Sequence, residues 1–155
     1  MLTPSLLARL QTAEGERALE SAATALETDS DFLRASQRLT PAFGDRLARA
    51  AVEQVQLRRR AIGKFPRAER LFFTREGLEQ ATAEPVARLR AARFGDRQRV
   101  FDFGCGLGGD ALQLAVASQV VAIDRDPLRL RIVAANAVPA APIPHHSPPS
   151  KNKAK

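Results

Sequence analysis

The residues of this 155-residue chain best suited to chemistry lie in one run, Val100-Phe-Asp-Phe-Gly-Cys-Gly-Leu-Gly-Gly-Asp110, and in a further carboxylate, Asp124, twenty residues beyond Gly104. A ligand that must touch backbone cannot approach past a Cβ. Gly104 and Gly106 therefore permit a tight turn and close contact, while Gly108 or Gly109 lets the following helix pack near the preceding strand. Amides left free at that helix start point toward the ligand. Asp124 can accept hydrogen bonds from two ribose hydroxyls, so two neighbouring strand ends would bracket a nucleoside. Gly104, Gly106 and Gly109 also have the G-x-G-x-x-G spacing of a dinucleotide site, and an NAD-dependent oxidoreductase would use the same glycines. Asp102 discriminates between the two: a carboxylate there is poorly suited to a nearby pyrophosphate and well suited to a cationic amino group.

These residues need strands and helices to carry them. Arg99-Val-Phe-Asp-Phe103 and Gln119-Val-Val-Ala-Ile-Asp124 are short aromatic and β-branched runs that read as strands. Between them, Ala111, Leu112, Leu114 and Ala115 sit at helical spacing in a helix expected over 110–117. Pro127 opens another through Ala137, with Asp126 as its cap. Upstream the pattern is helical. Leu19, Ala22, Ala23 and Leu26 form one stripe and Leu47, Ala48, Ala51, Val52 and Val55 another, the latter placed after Thr40 and Pro41 as cap and first-turn pair. Asp29 or Ser30 is expected to cap a short helix holding Phe32 and Leu33. Thr74 is expected to cap a helix that Pro85 interrupts, with Val86 and Leu89 facing inward on the next. The fold class is therefore α/β: a helical region over 1–97, a partial βαβα unit over 98–137, and a tail over 138–155 holding five of the ten prolines and expected to be disordered.

S-adenosylmethionine carries both an ammonium and a sulfonium, and the segment Asp102-Phe-Gly-Cys-Gly-Leu-Gly-Gly-Asp110 followed by Val120-Val-Ala-Ile-Asp-Arg-Asp-Pro127 resembles the first two motifs of class I S-adenosylmethionine-dependent methyltransferases. Within that superfamily the Gly-Cys-Gly form and the Ala134-Ala-Asn-Ala137 stretch look most like trimethylguanosine-synthase-type RNA methyltransferases and the bacterial methyltransferases with a THUMP-like domain. Leu71 to Thr82 resembles the helix start that precedes the first strand in the bacterial group. The resemblance covers about residues 64–136. It implies that Asp102 contacts the methionine amino group, that Gly104 and Gly106 line the cofactor, that Asp124 holds the ribose and that Arg125 lies beside the adenine. Each has a plainer role: conformational glycines, a strand-end cap at Asp124 and a solvated Arg125. Cys105 reads as a small packed side chain rather than a nucleophile.

The family fold uses a seven-stranded sheet, and only its first two strands are legible here. The substrate-side motif has no counterpart after Asn136, so no catalytic residue is assigned and the chain is expected to be a truncated, inactive piece. Phe101, Phe103, Val120, Val121 and Ile123 need cover, some of it expected from the amino-terminal helices, and the open edges invite self-association.

Composition bounds the partners. Twenty-four basic against 17 acidic residues give a net charge of +7. Residues 58–75 hold seven basic side chains interleaved with Phe65, Phe72 and Phe73, a composition able to meet the phosphates and bases of RNA. The plainer and favoured reading makes Arg58 to Arg60 a solvated helix end and the phenylalanines core. A non-enzymatic RNA-binding or assembly module is the remaining alternative. The single Cys105, the lack of a signal-like start and the absence of a long apolar run suit the cytoplasm and exclude a membrane span. His145 and His146 have no nearby Cys, Asp or Glu in the tail, so no metal is assigned.

Overall fold

A computed structural model describes residues 2–28, 31–95 and 97–137. Among the described residues eight α-helices and two strands follow in the order α1 Pro4–Leu10, α2 Ala13–Thr28, α3 Phe32–Phe43, α4 Asp45–Ala61, α5 Arg75–Gln80, α6 Glu84–Ala91, β1 Arg99–Phe103, α7 Gly109–Leu114, β2 Gln119–Ile123 and α8 Pro127–Ala137, with a 3-10 turn at Ala68–Arg70 before α5. The expected strands fall where the β-branched runs placed them, and α8 spans its expected range. The tail over 138–155, with His145 and His146, lies outside the described residues. Among the described residues no helix is long and apolar enough to cross a membrane.

Several helices start where a short polar side chain takes up a free amide. Thr3 Oγ1 accepts from the Leu6 amide at 3.3 Å, and Thr74 Oγ1 from Gly77 at 3.0 Å. The cap of α3 is Asp31, whose Oδ1 accepts from Leu33 and Arg34 at 2.7 and 3.2 Å; Asp29 and Ser30, the expected caps, lie outside the described residues. Thr40 and Pro41 do not open a helix. Pro41 lies near the end of α3, where Thr40 Oγ1 bonds back to the Ser36 carbonyl at 2.9 Å. The chain turns at Gly44, whose φ of 75° only glycine adopts readily, and α4 begins at Asp45.

Helix α4 is the axis of the helical core. Its alanine-rich stripe of Leu47, Ala48, Ala51, Val52 and Val55 is buried, as is the α2 stripe at Leu19, Ala22 and Leu26. Small side chains on one face let α2 and α3 pack closely against it. This core extends past the helical region, because Leu107 of the glycine turn and Ile132 of α8 are buried members of it. The extended segment after the 3-10 turn joins the two parts. Phe73 is almost fully buried, worth about 2–3 kcal/mol of apolar transfer. Its backbone is held on one side by Gln54 of α4, which donates Nε2–H to the Phe73 carbonyl at 2.8 Å and accepts the Phe73 amide at Oε1 at 3.0 Å. The neighbouring Phe72 is held by Asn136 of α8: Oδ1 accepts the Phe72 amide at 2.7 Å, and Nδ2 donates to the carbonyls of Phe72 and Leu107 at 3.1 and 3.3 Å.

Strands β1 and β2 pair in parallel, Arg99 opposite Gln119 through Phe103 opposite Ile123. Alternation splits the sheet into two unequal faces. Val100, Val120 and Ala122 point toward α7 and α8, where Cys105, Ala111 and Val133 form a small second core. That cover comes from α7 and α8, which follow the strands on one side, and not from the amino-terminal helices. On the other face Phe101 and Phe103, with ring centroids 6.3 Å apart, are 53% and 77% exposed. Val86 and Leu89 of α6 also face outward, contrary to the sequence expectation. The buried position of that helix is Ala87, because a small residue allows α6 to lie close to α7.

Replacing Asn136 by alanine strips three hydrogen bonds from buried backbone groups. Stability to urea is expected to fall by about 2–3 kcal/mol, and an unchanged unfolding midpoint would remove the clamp from this account.

Candidate functional site

The turn between β1 and α7 is built by three left-handed glycines: Gly104, Gly106 and Gly108 have φ of 74°, 56° and 88°. The amides of Gly104 and Cys105 both reach the Ile123 carbonyl, at 2.7 and 3.1 Å, fixing the turn to the end of β2. Both candidate packing glycines prove tight, though against different neighbours from the one expected. A Cβ on Gly109 would stand 3.0 Å from the backbone oxygen of Thr82, and one on Gly108 would stand 3.3 Å from Val133 of α8. The close approach is therefore to the α5–α6 connection and to α8, not to the preceding strand.

Above this turn lies a cleft of about 230 Å³ lined by the α5 end and the following loop (Gly77, Gln80, Ala81 and Thr82), by Asp102, by the turn from Gly104 to Leu107 with Gly109 and Asp110, and by Arg129 of α8. Asp102, Gly104 and Gly106 thus meet in one cavity. Asp124 reaches it through the turn: Oδ2 accepts the Gly106 amide at 3.0 Å, and Oδ1 the Asp126 amide at 3.0 Å. Arg125 is exposed beside Asp124 and does not line this cleft.

The charges in the cleft are unevenly satisfied. Asp102 Oδ2 and Asp110 Oδ1 are buried oxygens with no hydrogen-bond partner among the described residues. The other Asp110 oxygen is engaged, receiving Thr82 Oγ1–H and Arg90 Nη1–H, each at 3.0 Å. Burial pushes the Asp102 carboxyl above the usual range, and the nearby charges of Asp110 and Asp124 push the same way against an amide bond from Ala111. Asp124 behaves oppositely. Desolvation raises it, but the Asp126 and Gly106 amides with Arg129 and Arg125 outweigh that and hold it below the ordinary carboxylate range. The Cys105 thiol is pushed up to about 11 by burial and by Asp102 and Asp124, which leaves it a packed neutral side chain at neutral pH.

The aromatic residues of the stretch over 58–75 are structural, as are two of its arginines. Phe65, Phe72 and Phe73 are buried. Arg58 donates Nε–H to the Leu71 carbonyl at 2.9 Å with its guanidinium 5.2 Å from the Phe72 ring centre, and its burial lowers its pKa to about 10. Arg59 caps the end of α2 through the Leu26 and Ala23 carbonyls, both at 3.2 Å.

Two curated proteins are similar to this chain. Both are uncharacterized S-adenosylmethionine-dependent methyltransferases of Mycobacterium tuberculosis, from strains CDC 1551 / Oshkosh and ATCC 25618 / H37Rv, each 43% identical over 101 residues. The matched segment is 61% of this chain and 28% of either relative, so the chain spans little more than a quarter of their length. Residues 4–61 match a sequence family described as a domain of unknown function (DUF8688), a stretch that coincides with α1 through α4. No solved structure matches.

Sequence reasoning missed several residues that shape the site. Gln54 sits inside the apolar stripe of α4, one residue before Val55, and a lone amide at a core position was the available signal. Arg129 follows Asp126 at helical i, i+3 spacing, and its guanidinium lies 3.9 Å from Asp124 and 3.8 Å from Asp126. Thr82 and Arg90 carried no readable signal, because their partner Asp110 is twenty or more residues away.

The two key carboxylates are expected to respond oppositely to pH. A raised folded-state pKa at Asp102 means its ionisation weakens the ligand-free fold as pH rises, so Asp102→Asn should raise the thermal midpoint at pH 7, with the gain shrinking on acidification. A lowered one at Asp124 stabilises above the carboxylate range and is lost as pH falls through the folded-state pKa, so Asp124→Asn should lower the midpoint at pH 7 and approach the parent on acidification. Melting curves from pH 3 to 8 check both; shifts of the same sign would contradict the charge pattern described.

Proposed function

We propose that this chain supplies the S-adenosylmethionine-binding part of a class I methyltransferase. The observation that carries the reading is the pair of partnerless buried oxygens, Asp102 Oδ2 and Asp110 Oδ1, beside the glycine turn. Two carboxylate oxygens without partners favour a cationic donor, and the amino group of the cofactor supplies one. The same pair disfavours NAD, whose pyrophosphate would lie against two negative groups. The names of the mycobacterial relatives support the same cofactor.

When bound, the cofactor supplies a methyl carbon made electrophilic by its sulfonium. The residues of this chain bind and orient: Asp102 and Asp110 meet the ammonium, Gly104 and Gly106 allow the backbone to approach, and Asp124 turns to the ribose hydroxyls in place of the Gly106 amide. Arg125, exposed at the end of β2, is placed to border the adenine. In kind with the trimethylguanosine-synthase-type and THUMP-like-domain enzymes, the acceptor we infer is RNA, supported by the net charge of +7. The phenylalanines at 65, 72 and 73 take no part, since they are core.

The reading also makes the chain an incomplete enzyme. Support comes from the uncovered face at Phe101 and Phe103, from a cleft smaller than the roughly 300 Å³ at the low end of ligand sites, and from a match to only 28% of each relative.

Titration calorimetry with S-adenosylhomocysteine and with NAD decides between the cofactors. Binding of the former alone is expected, with a stabilisation of about 2.7 kcal/mol at 100 times its dissociation constant. Preference for NAD would favour an oxidoreductase piece, and an oligomer with no affinity for either would favour an assembly module built on the exposed sheet edges. For the acceptor, filter binding of RNA should weaken steeply as salt rises. Retention independent of ionic strength would discard RNA.

A further inference from the structure

The cleft holds one charged group that the cofactor assignment has not used. Arg129 lines it together with Asp102 and Asp110, whereas Asp124 and Arg125 stand outside the lining. Its side chain is only 26% exposed, yet among the described residues its guanidinium takes part in no hydrogen bond. Its partners, Asp124 Oδ2 at 3.9 Å and Asp126 Oδ2 at 3.8 Å, balance its charge from beyond hydrogen-bonding distance. Five N–H donors in a partly buried position are therefore available to an incoming acceptor. The other cation near the cleft is committed, because Arg90 Nη1 already bonds Thr82 Oγ1 at 3.1 Å and Asp110 Oδ2 at 3.0 Å.

An α-amino acid end presents opposite charges on one carbon, and a wall carrying only carboxylates would recognise half of it while repelling the other half. Resting on the S-adenosylmethionine reading, we propose that Arg129 recognises the ligand's carboxylate, so that the cleft selects a zwitterionic amino-acid tail by combining an arginine with the acidic pair in one lining. Arginine suits this role because its planar fork can meet a carboxylate with two parallel bonds. Asp124 and Asp126 position the guanidinium by charge alone and leave its donors free.

The experiment compares S-adenosylmethionine with its decarboxylated form, which keeps the ammonium, sulfonium and nucleoside. Titration calorimetry of the parent chain should show the intact ligand binding at least tenfold more tightly. Arg129→Gln should abolish that preference by weakening the intact ligand about tenfold while leaving the decarboxylated one unchanged, and the unchanged ligand reports that the variant is folded. Arg129→Lys should restore part of the preference. Equal losses for both ligands would make Arg129 a prop for Asp124 and overturn the proposal, as would a parent chain that binds the two forms equally. A parent chain that binds neither would instead sink the cofactor reading on which this one stands.

Discussion

The fold depends on how two side-chain amides treat the backbone units of two consecutive residues. Phe72 and Phe73 run extended between the helical core and the glycine turn, so their amides and carbonyls belong to no helix or sheet. Gln54 takes up one unit and Asn136 the other. Each amide imitates a neighbouring strand, donating and accepting as a backbone would, and each is buried, where an unmet polar group costs most. Because Asn136 also reaches the Leu107 carbonyl, the same contact fixes the glycine turn to the helical part. The turn is thereby held from behind by α8 and from above by the α5 region.

That anchoring lets the site carry electrostatic tension. Among the described residues Asp102 and Asp110 each keep an oxygen without a partner, while Asp124 and Arg129 are mutually balanced. Such a pattern weakens the fold, and a ligand bearing the complementary charges would relieve it. Binding energy and stability are here traded against each other at named atoms, and Thr82 with Arg90 limits the trade by neutralising the second Asp110 oxygen.

Much of this could be read from the chain. The strands, α8 and the caps at Thr74 and Asp126 were legible because β-branched runs, proline and short polar side chains act locally. Asp102, Gly104 and Gly106 were legible as a group because spacing along one turn determines proximity. What failed depended on distance. Pro41 appeared to open a helix because nothing local revealed that Gly44 makes the break. Val86 and Leu89 were assigned to the interior on periodicity, which identifies an apolar face without saying what covers it. Arg129 and Gln54 escaped because their importance lies in partners brought near by folding.

The uncovered side of the sheet has a dynamic consequence. Parallel strands are ordinarily among the slowest parts of an α/β protein to exchange their amide hydrogens, shielded by further strands at both edges and helices on both faces. Here, among the described residues, each strand has a single neighbour, and the aromatic face at Phe101 and Phe103 meets solvent. The usual hierarchy is therefore expected to invert: deuterium should enter β1 and β2 early, and the slowest amides should be those of α4, deep among the helices.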